Sequence, residues 1–263
     1  VSLQGTLKLN QREAIVQQLD LHTAYSHLTD RYEMHYATFH DFNDYIHKVR
    51  MKASLHHSNV SSMDIAYFAP LLQNYPVAVD LSGQMEGTVD HLSGQQIHVS
   101  TLSTIVSGDA RIDGLPDTDS ATFHITHLLC SGSGSDLTRL IPQTKVPSLN
   151  WNTLSAFTYQ GTYDGMVSRF QTSGHLSSSL GEADVQLDMD FQPAQAVYNC
   201  RFSTTGIDPG AFLRQSRLGR VKLDGTLSGS GFDMDHVNAQ VEANIGHLVW
   251  DHETYTNLVI NGL

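Results

Sequence analysis

The feature that most constrains this chain is the two-residue periodicity of its apolar side chains. In Ala183-Asp184-Val185-Gln186-Leu187-Asp188-Met189-Asp190-Phe191 every odd position is apolar and every even one polar. Val237-Asn238-Ala239-Gln240-Val241-Glu242-Ala243-Asn244-Ile245 repeats the pattern, and shorter runs follow it at Met51–Leu55, Gln96–Val99, Phe123–Thr126 and Val221–Asp224. Successive side chains of a strand point to opposite faces, so each run carries one apolar and one wet face. This is the pattern of antiparallel sheet solvated on one side, not of buried parallel sheet.

Helical signals are few. Asp64 precedes an apolar run closed by Pro70, Asp136 one closed by Pro142, and Asp208-Pro209 offers a cap with proline at the first helical position. Short helices are therefore predicted near 64–70, 136–141 and 208–213. Arg12 to Asp20 reads equally as helix or strand. Ser131-Gly132-Ser133-Gly134-Ser135 reads as a loop between two β-repeat regions, 1–134 and 135–263. A repeat supports this division. Asp64-x-x-x-Phe68, a strand and Gly83-x-x-x-Gly87 correspond in order to Asp208-x-x-x-Phe212, a strand and Gly225-x-x-x-Gly229, with both glycine pairs 142 residues apart.

Charge narrows the partners. The formal net charge is −12, and the 15 Lys and Arg are scattered singly, so the chain cannot neutralise a run of phosphates and nucleic acid is excluded as a partner. An acidic chain is also repelled by an anionic membrane surface. No run approaches the ~18 apolar residues of a membrane-spanning helix. Cys130 and Cys200 show no C-x-x-C spacing and read as free thiols. Both termini fall in mid-pattern, which predicts an interior piece of a longer protein.

No constellation for catalysis stands out, and the chain reads as a non-enzyme without cofactor or metal. Asp184, Asp188 and Asp190 are the wet face of an amphipathic strand. The Gly-x-x-x-Gly pairs lack the Lys-Ser or Lys-Thr of a phosphate loop. Among 15 histidines, His22/His27 and His35/His40 are spaced by five, which on one strand places the members on opposite faces; they read as solvated polar-face residues.

Phe157-Thr158-Tyr159-Gln160-Gly161-x-x-x-Gly165, Phe170-x-x-x-Gly174-x-Leu176, Leu180-Gly181, Ile207-Asp208-Pro209, Leu223-Asp224-Gly225-x-x-x-Gly229-x-Gly231 and Tyr255-x-Asn257-Leu258-x-Ile260-x-Gly262 occur in that order. This succession resembles the periplasmic repeats of TamB-like proteins in the AsmA-like superfamily. Asp80–Val99 and Gly108-Asp109-x-Arg111-x-x-Gly114-Leu115-Pro116-Asp117 look like the versions from Bacteroidetes-type bacteria. The resemblance covers about two thirds of the chain and leaves out its N-terminal 50 residues.

The resemblance implies an all-β fold, an elongated, mostly antiparallel curved sheet forming an open apolar groove (β-taco-like) with a few short helices. It implies the periplasmic part of an inner-membrane-anchored lipid-transfer protein. Its partners would be phospholipid acyl chains and, through a C-terminal region not recognisable here, outer-membrane assembly proteins. Alternation supplies the residues for such a groove: Val185, Leu187, Met189, Val221, Leu223, Val237, Ala239, Val241 and Ile245. The same residues would serve a closed β-sandwich core. An extracellular or envelope β-solenoid or sandwich binding glycans or protein therefore stands as the alternative, with Trp151, Tyr159, Tyr163 and Trp250 as its aromatic platforms.

Overall fold

A computed structural model describes residues 1–66, 77–140, 149–231 and 238–262. The fold is all-β, open and antiparallel, with a few short helical pieces, as the periodicity predicts. The chain divides into two units, Val1–Leu128 and Leu129–Leu263.

The first unit holds β1 (Ser2–Leu9), β2 (Glu13–His22), β3 (His27–His35), β4 (Arg50–Ser61), β5 (Ala78–Thr88), β6 (His91–Thr101) and β7 (Thr104–Asp113). Next comes β8 (Thr122–Gly132), which carries the chain over the division. Strands pair in the order in which they occur, so the ambiguous 12–20 stretch is strand. Leu7, Val16, Tyr32, Ala53, Met85, Gly94 and Ala110 form one cross-strand row of a single face. On the opposite face Lys8, Ile15, Glu33, Lys52, Glu86, Ser93 and Arg111 form a row in which neighbouring charges alternate in sign.

One end of the apolar face is covered. A 3-10 turn (Phe39–Asp44) runs into α1 (Tyr45–Lys48), and Ala14, Tyr36 and Val49 form a small core against Met34 and Tyr45. Val49 is fully buried, and the Tyr32 and Tyr45 hydroxyls meet at 2.7 Å. Where a helix at 64–70 capped by Asp64 is predicted, the structure has α2 (Ser62–Ile65), which shares only 64 and 65 with it and is started by Ser61, whose hydroxyl accepts from the Met63 N–H; Asp64 lies in its first turn. Residues 67–70 lie outside the described residues.

The second unit opens with α3 (Gly134–Leu140). Thus Ser131-Gly132 ends a strand and Gly134-Ser135 begins a helix, where sequence suggested a loop. Gly134 fits because its backbone lies against Trp151: a Cβ there would stand 1.9 Å from the Trp151 carbonyl oxygen. The remaining strands are β9 (Phe157–Gly165), β10 (Arg169–Ser178), β11 (Gly181–Asp190), β12 (Val197–Ile207), β13 (Leu218–Ser230), β14 (Asn238–Trp250), β15 (Glu253–Tyr255) and β16 (Leu258–Gly262). These also pair in chain order, except that β15 and β16 both lie along β14.

The helix expected at 208–213 does not form. The Leu213 N–H reaches the Pro209 carbonyl at 2.8 Å, giving a single turn, but Arg214 then takes φ 57°. That left-handed residue turns the chain back toward Leu218, and one helical turn is too short to persist without packing.

Candidate functional site

The candidate site is the apolar face of the second unit. Cross-strand register fixes it. Phe170, Met189, Tyr198, Gly229 and Ala239 form one row. Thr172, Leu187, Cys200, Leu227 and Val241 form the next. Gly174, Val185, Phe202, Gly225 and Ala243 form a third. Thr204, Leu223, Ile245 and Leu258 lie beside them, and Val221 pairs with Leu248 one step further. Eight of the nine residues named from sequence therefore share one face of one sheet. Val237 lies outside the described residues.

This face is shielded but not sealed. Met189 (9 % exposed), Val221 (5 %) and Ile245 (5 %) are buried, whereas Val185, Leu187, Leu223, Ala239 and Val241 keep part of their surface in solvent. No described apolar residue of this unit is buried as fully as Val49 of the first. A sandwich core would leave its central Val and Leu side chains dry.

Aromatic rings sit beside the glycines of this face. Tyr163 and Phe170 stack with ring centroids 5.0 Å apart, and Phe170 pairs with Gly165. Tyr198 pairs with Gly229, where a Cβ would come 3.1 Å from the tyrosine hydroxyl. Gly174 and Gly229 thus leave room for tyrosine rings, Tyr159 and Tyr198. The Gly83/Gly87 pair of the first unit likewise falls among apolar partners, opposite Leu55 and Met51.

The reverse face is mostly polar, with Val197 and Val259 as exposed apolar exceptions near its margins. Asp164, Gln171, Asp188, Asn199 and Ser228 form one row, and Thr162, Ser173, Gln186, Arg201, Thr226 and Glu242 the next. A shallow cavity of about 490 Å³ lies here, bordered by Asp164, Gln186, Asp188 and Arg201. The three acids of β11 do not converge on one point. Asp184 holds the His175 ring at 2.8 Å, Asp188 accepts from the Gln171 amide at 3.1 Å, and Asp190 faces Arg169 at 3.7 Å.

Of the aromatic candidates for a glycan platform, Tyr159 and Tyr163 share the apolar face of β9, and Trp151 and Trp250 lie on other elements. Trp151 meets Phe212 edge-on, the Tyr159 hydroxyl lies 2.6 Å from that of Thr172, Tyr163 stacks on Phe170, and Trp250 ends β14. Cys130 and Cys200 are free, and burial pushes both thiols up.

His22 and His27, expected on opposite faces, share one. A hairpin turn separates them, they pair directly across β2 and β3, and their rings stack at 3.9 Å. Opposite faces would result only on one continuous strand. The sequence signal for the turn is Thr23-Ala24-Tyr25-Ser26, whose Thr23 hydroxyl accepts from the Ser26 N–H at 2.8 Å and closes it. His35 and His40 are not on one strand either, since His35 ends β3 and His40 lies in the 3-10 turn.

No helix among the described residues is long and apolar enough to cross a membrane. Comparison with known proteins gives no matching family model, no matching curated protein and no matching solved structure.

Proposed function

We propose that this chain is a lipid-sheltering module, a non-enzymatic segment of a periplasm-spanning lipid-transfer protein of the cell envelope. Acyl chains would lie along the apolar face of the second unit. The observation that carries this reading is the partial exposure of Val185, Leu187, Leu223 and Val241 on one continuous face. A sheet must cover its apolar face with something, and large exposed apolar patches mark surfaces that bind. An acyl chain fits because it asks for area without hydrogen bonds. Burial contributes about 0.8 kcal/mol per methylene, so ten methylenes contribute roughly 8 kcal/mol.

The resemblance to TamB-like repeats agrees with this reading and supplies its cellular setting, including outer-membrane assembly proteins as partners of the longer chain. The glycan or protein alternative has the polar cavity in its favour, but of its four aromatic candidates only Tyr159 and Tyr163 share a strand face, and that is the apolar face.

The test is organic extraction and native mass spectrometry of the purified chain. Phospholipid is expected in the extract, and Val241→Asp is expected to lose it while the protein stays folded. Lipid-free protein that also takes up no phospholipid from vesicles would overturn the reading.

A further inference from the structure

The hairpin joining β2 and β3 gathers three metal-ligating side chains that the lipid-sheltering reading does not use. The His22 and His27 Nε2 atoms approach the same oxygen, Asp20 Oδ1, at 3.1 and 2.6 Å. Their rings are nearly parallel, 11° apart. One ligand atom from each of the three residues lies within 4.8 Å of the other two. We infer that Asp20, His22 and His27 bind a first-row divalent cation, with Zn²⁺ the occupant this donor set favours.

The chemistry argues for the cation in three ways. Two imidazoles and a carboxylate are the donors that zinc takes, at about 2.0–2.2 Å each. Ligands around a tetrahedral centre at that radius stand roughly 3.3 Å apart, so Asp20 Oδ1 and the two Nε2 atoms, at 3.1 and 2.6 Å, would move apart slightly and the stacked rings would turn to aim their lone pairs at the ion. Other histidines pair one-to-one with a carboxylate, as His56 does with Asp30 and His175 with Asp184. Here two rings converge on a single oxygen, and a cation between them would replace a crowded pair of hydrogen bonds. Imidazole donors also select against Mg²⁺ and Ca²⁺, which prefer oxygen.

The site is both held and reachable. Asp20 and His22 are two apart on β2, and His27 is cross-strand from His22, so one strand face presents all three. The Thr23 N–H donates to the Ser26 carbonyl at 2.9 Å, which closes the turn. The buried Ser26 hydroxyl accepts from the Ser61 N–H at 2.9 Å, which ties the turn to β4. Such support lowers the ordering cost of binding. The three side chains retain 42 %, 51 % and 40 % of their surface for Asp20, His22 and His27, which leaves coordination positions for water or a further ligand.

The probe is Zn²⁺ itself, titrated calorimetrically into the chelator-stripped full chain. One ion per chain is expected. Asp20→Asn, His22→Ala and His27→Ala should each weaken binding at least about ten-fold, since even residues supporting a ligand cost that much. His56→Ala should leave it unchanged. Zn²⁺ should also shift the Nε2 resonances of His22 and His27 in the folded wild-type protein, a readout independent of any variant's folding. No binding by the wild type, affinity unchanged in His27→Ala, or shifts spread evenly over all 15 histidines would overturn the site.

Discussion

Gly161 and Gly174 stand opposite each other on β9 and β10, so close that a Cβ on either would come 2.8 Å from the other's Cα. The same Cβ would lie 2.2 Å from a backbone oxygen, Ser173 O for Gly161 and Gln160 O for Gly174. Backbone cannot yield as a flexible side chain can. Gly174→Ala is expected to destabilise the chain by about 1–3 kcal/mol, the usual cost of overpacking. Urea denaturation should show a lower midpoint with an unchanged slope. Equal midpoints would mean that the two strands have room to part.

Leu187 and Gln186 are chain neighbours on opposite faces of β11, which separates the two surfaces cleanly. Leu187→Asp should abolish lipid co-purification and lower stability by only about 1–2 kcal/mol, because the site is already half-open. Gln186→Asp lies on the polar face opposite Arg201 and should stay within about 0.5 kcal/mol of the wild type, lipid included. Unfolding of the first variant would instead mark the face as a sealed core.

Glu33 gives a pH dependence with a definite sign. It is 7 % exposed and takes hydrogen bonds from Arg31 at 2.6 Å and His35 at 3.0 Å. Burial pushes its carboxyl upward, but the bonds from His35 and Arg31 and their charges outweigh it, leaving it below the ordinary 4.5. A depressed carboxyl stabilises the fold above its unfolded value and loses that contribution as pH falls through the folded one. Arg31→Gln should therefore cost about 1 kcal/mol near neutrality, discounted for the exposure of the arginine. The gap to wild type should close below the ordinary carboxyl range, as followed by denaturation across pH.

Tyr32 and Tyr45 form the polar clamp of the covered end. Burial holds the Tyr32 hydroxyl well above the ordinary range, with the charge and hydrogen bond of Tyr45 adding to it. Tyr45→Phe should cost about 1 kcal/mol by leaving the Tyr32 hydroxyl unpaired. The double change with Tyr32→Phe should cost less than the two single changes added, as a double-mutant cycle would measure.

The strands were legible because period-two alternation survives at the level of single residues. Ala183–Phe191 and the observed β11 differ by two residues at the start and one at the end. Alternation also assigns faces correctly, which is why Val185, Leu187 and Met189 meet Phe202, Cys200 and Tyr198 as one surface. Periodicity says nothing about where a strand turns back. His22 and His27 were misplaced for that reason, since their common face depends on a turn and not on spacing. The stretch 208–213 misled in the opposite direction. One turn does form from Pro209, but a helix persists only while the next residues keep helical dihedrals, and Arg214 in the left-handed region stops it. The open exposure of the apolar face was not legible at all, because side-chain type is the same in a groove and in a core.

Pairing in chain order has a kinetic consequence. Nearly every long-range contact within a unit joins strands that are consecutive in sequence, so each hairpin can form before the next without closing a large loop. Such a sheet grows and frays by addition and loss of edge strands, much as stacked repeats do. Amide exchange should then be graded, fastest along β1, whose residues are all solvent-exposed, and slowest in the middle strands of each unit. A molecule built this way can lose or gain a strand at its margin without disturbing the rest, and its length becomes a quantity that duplication can adjust.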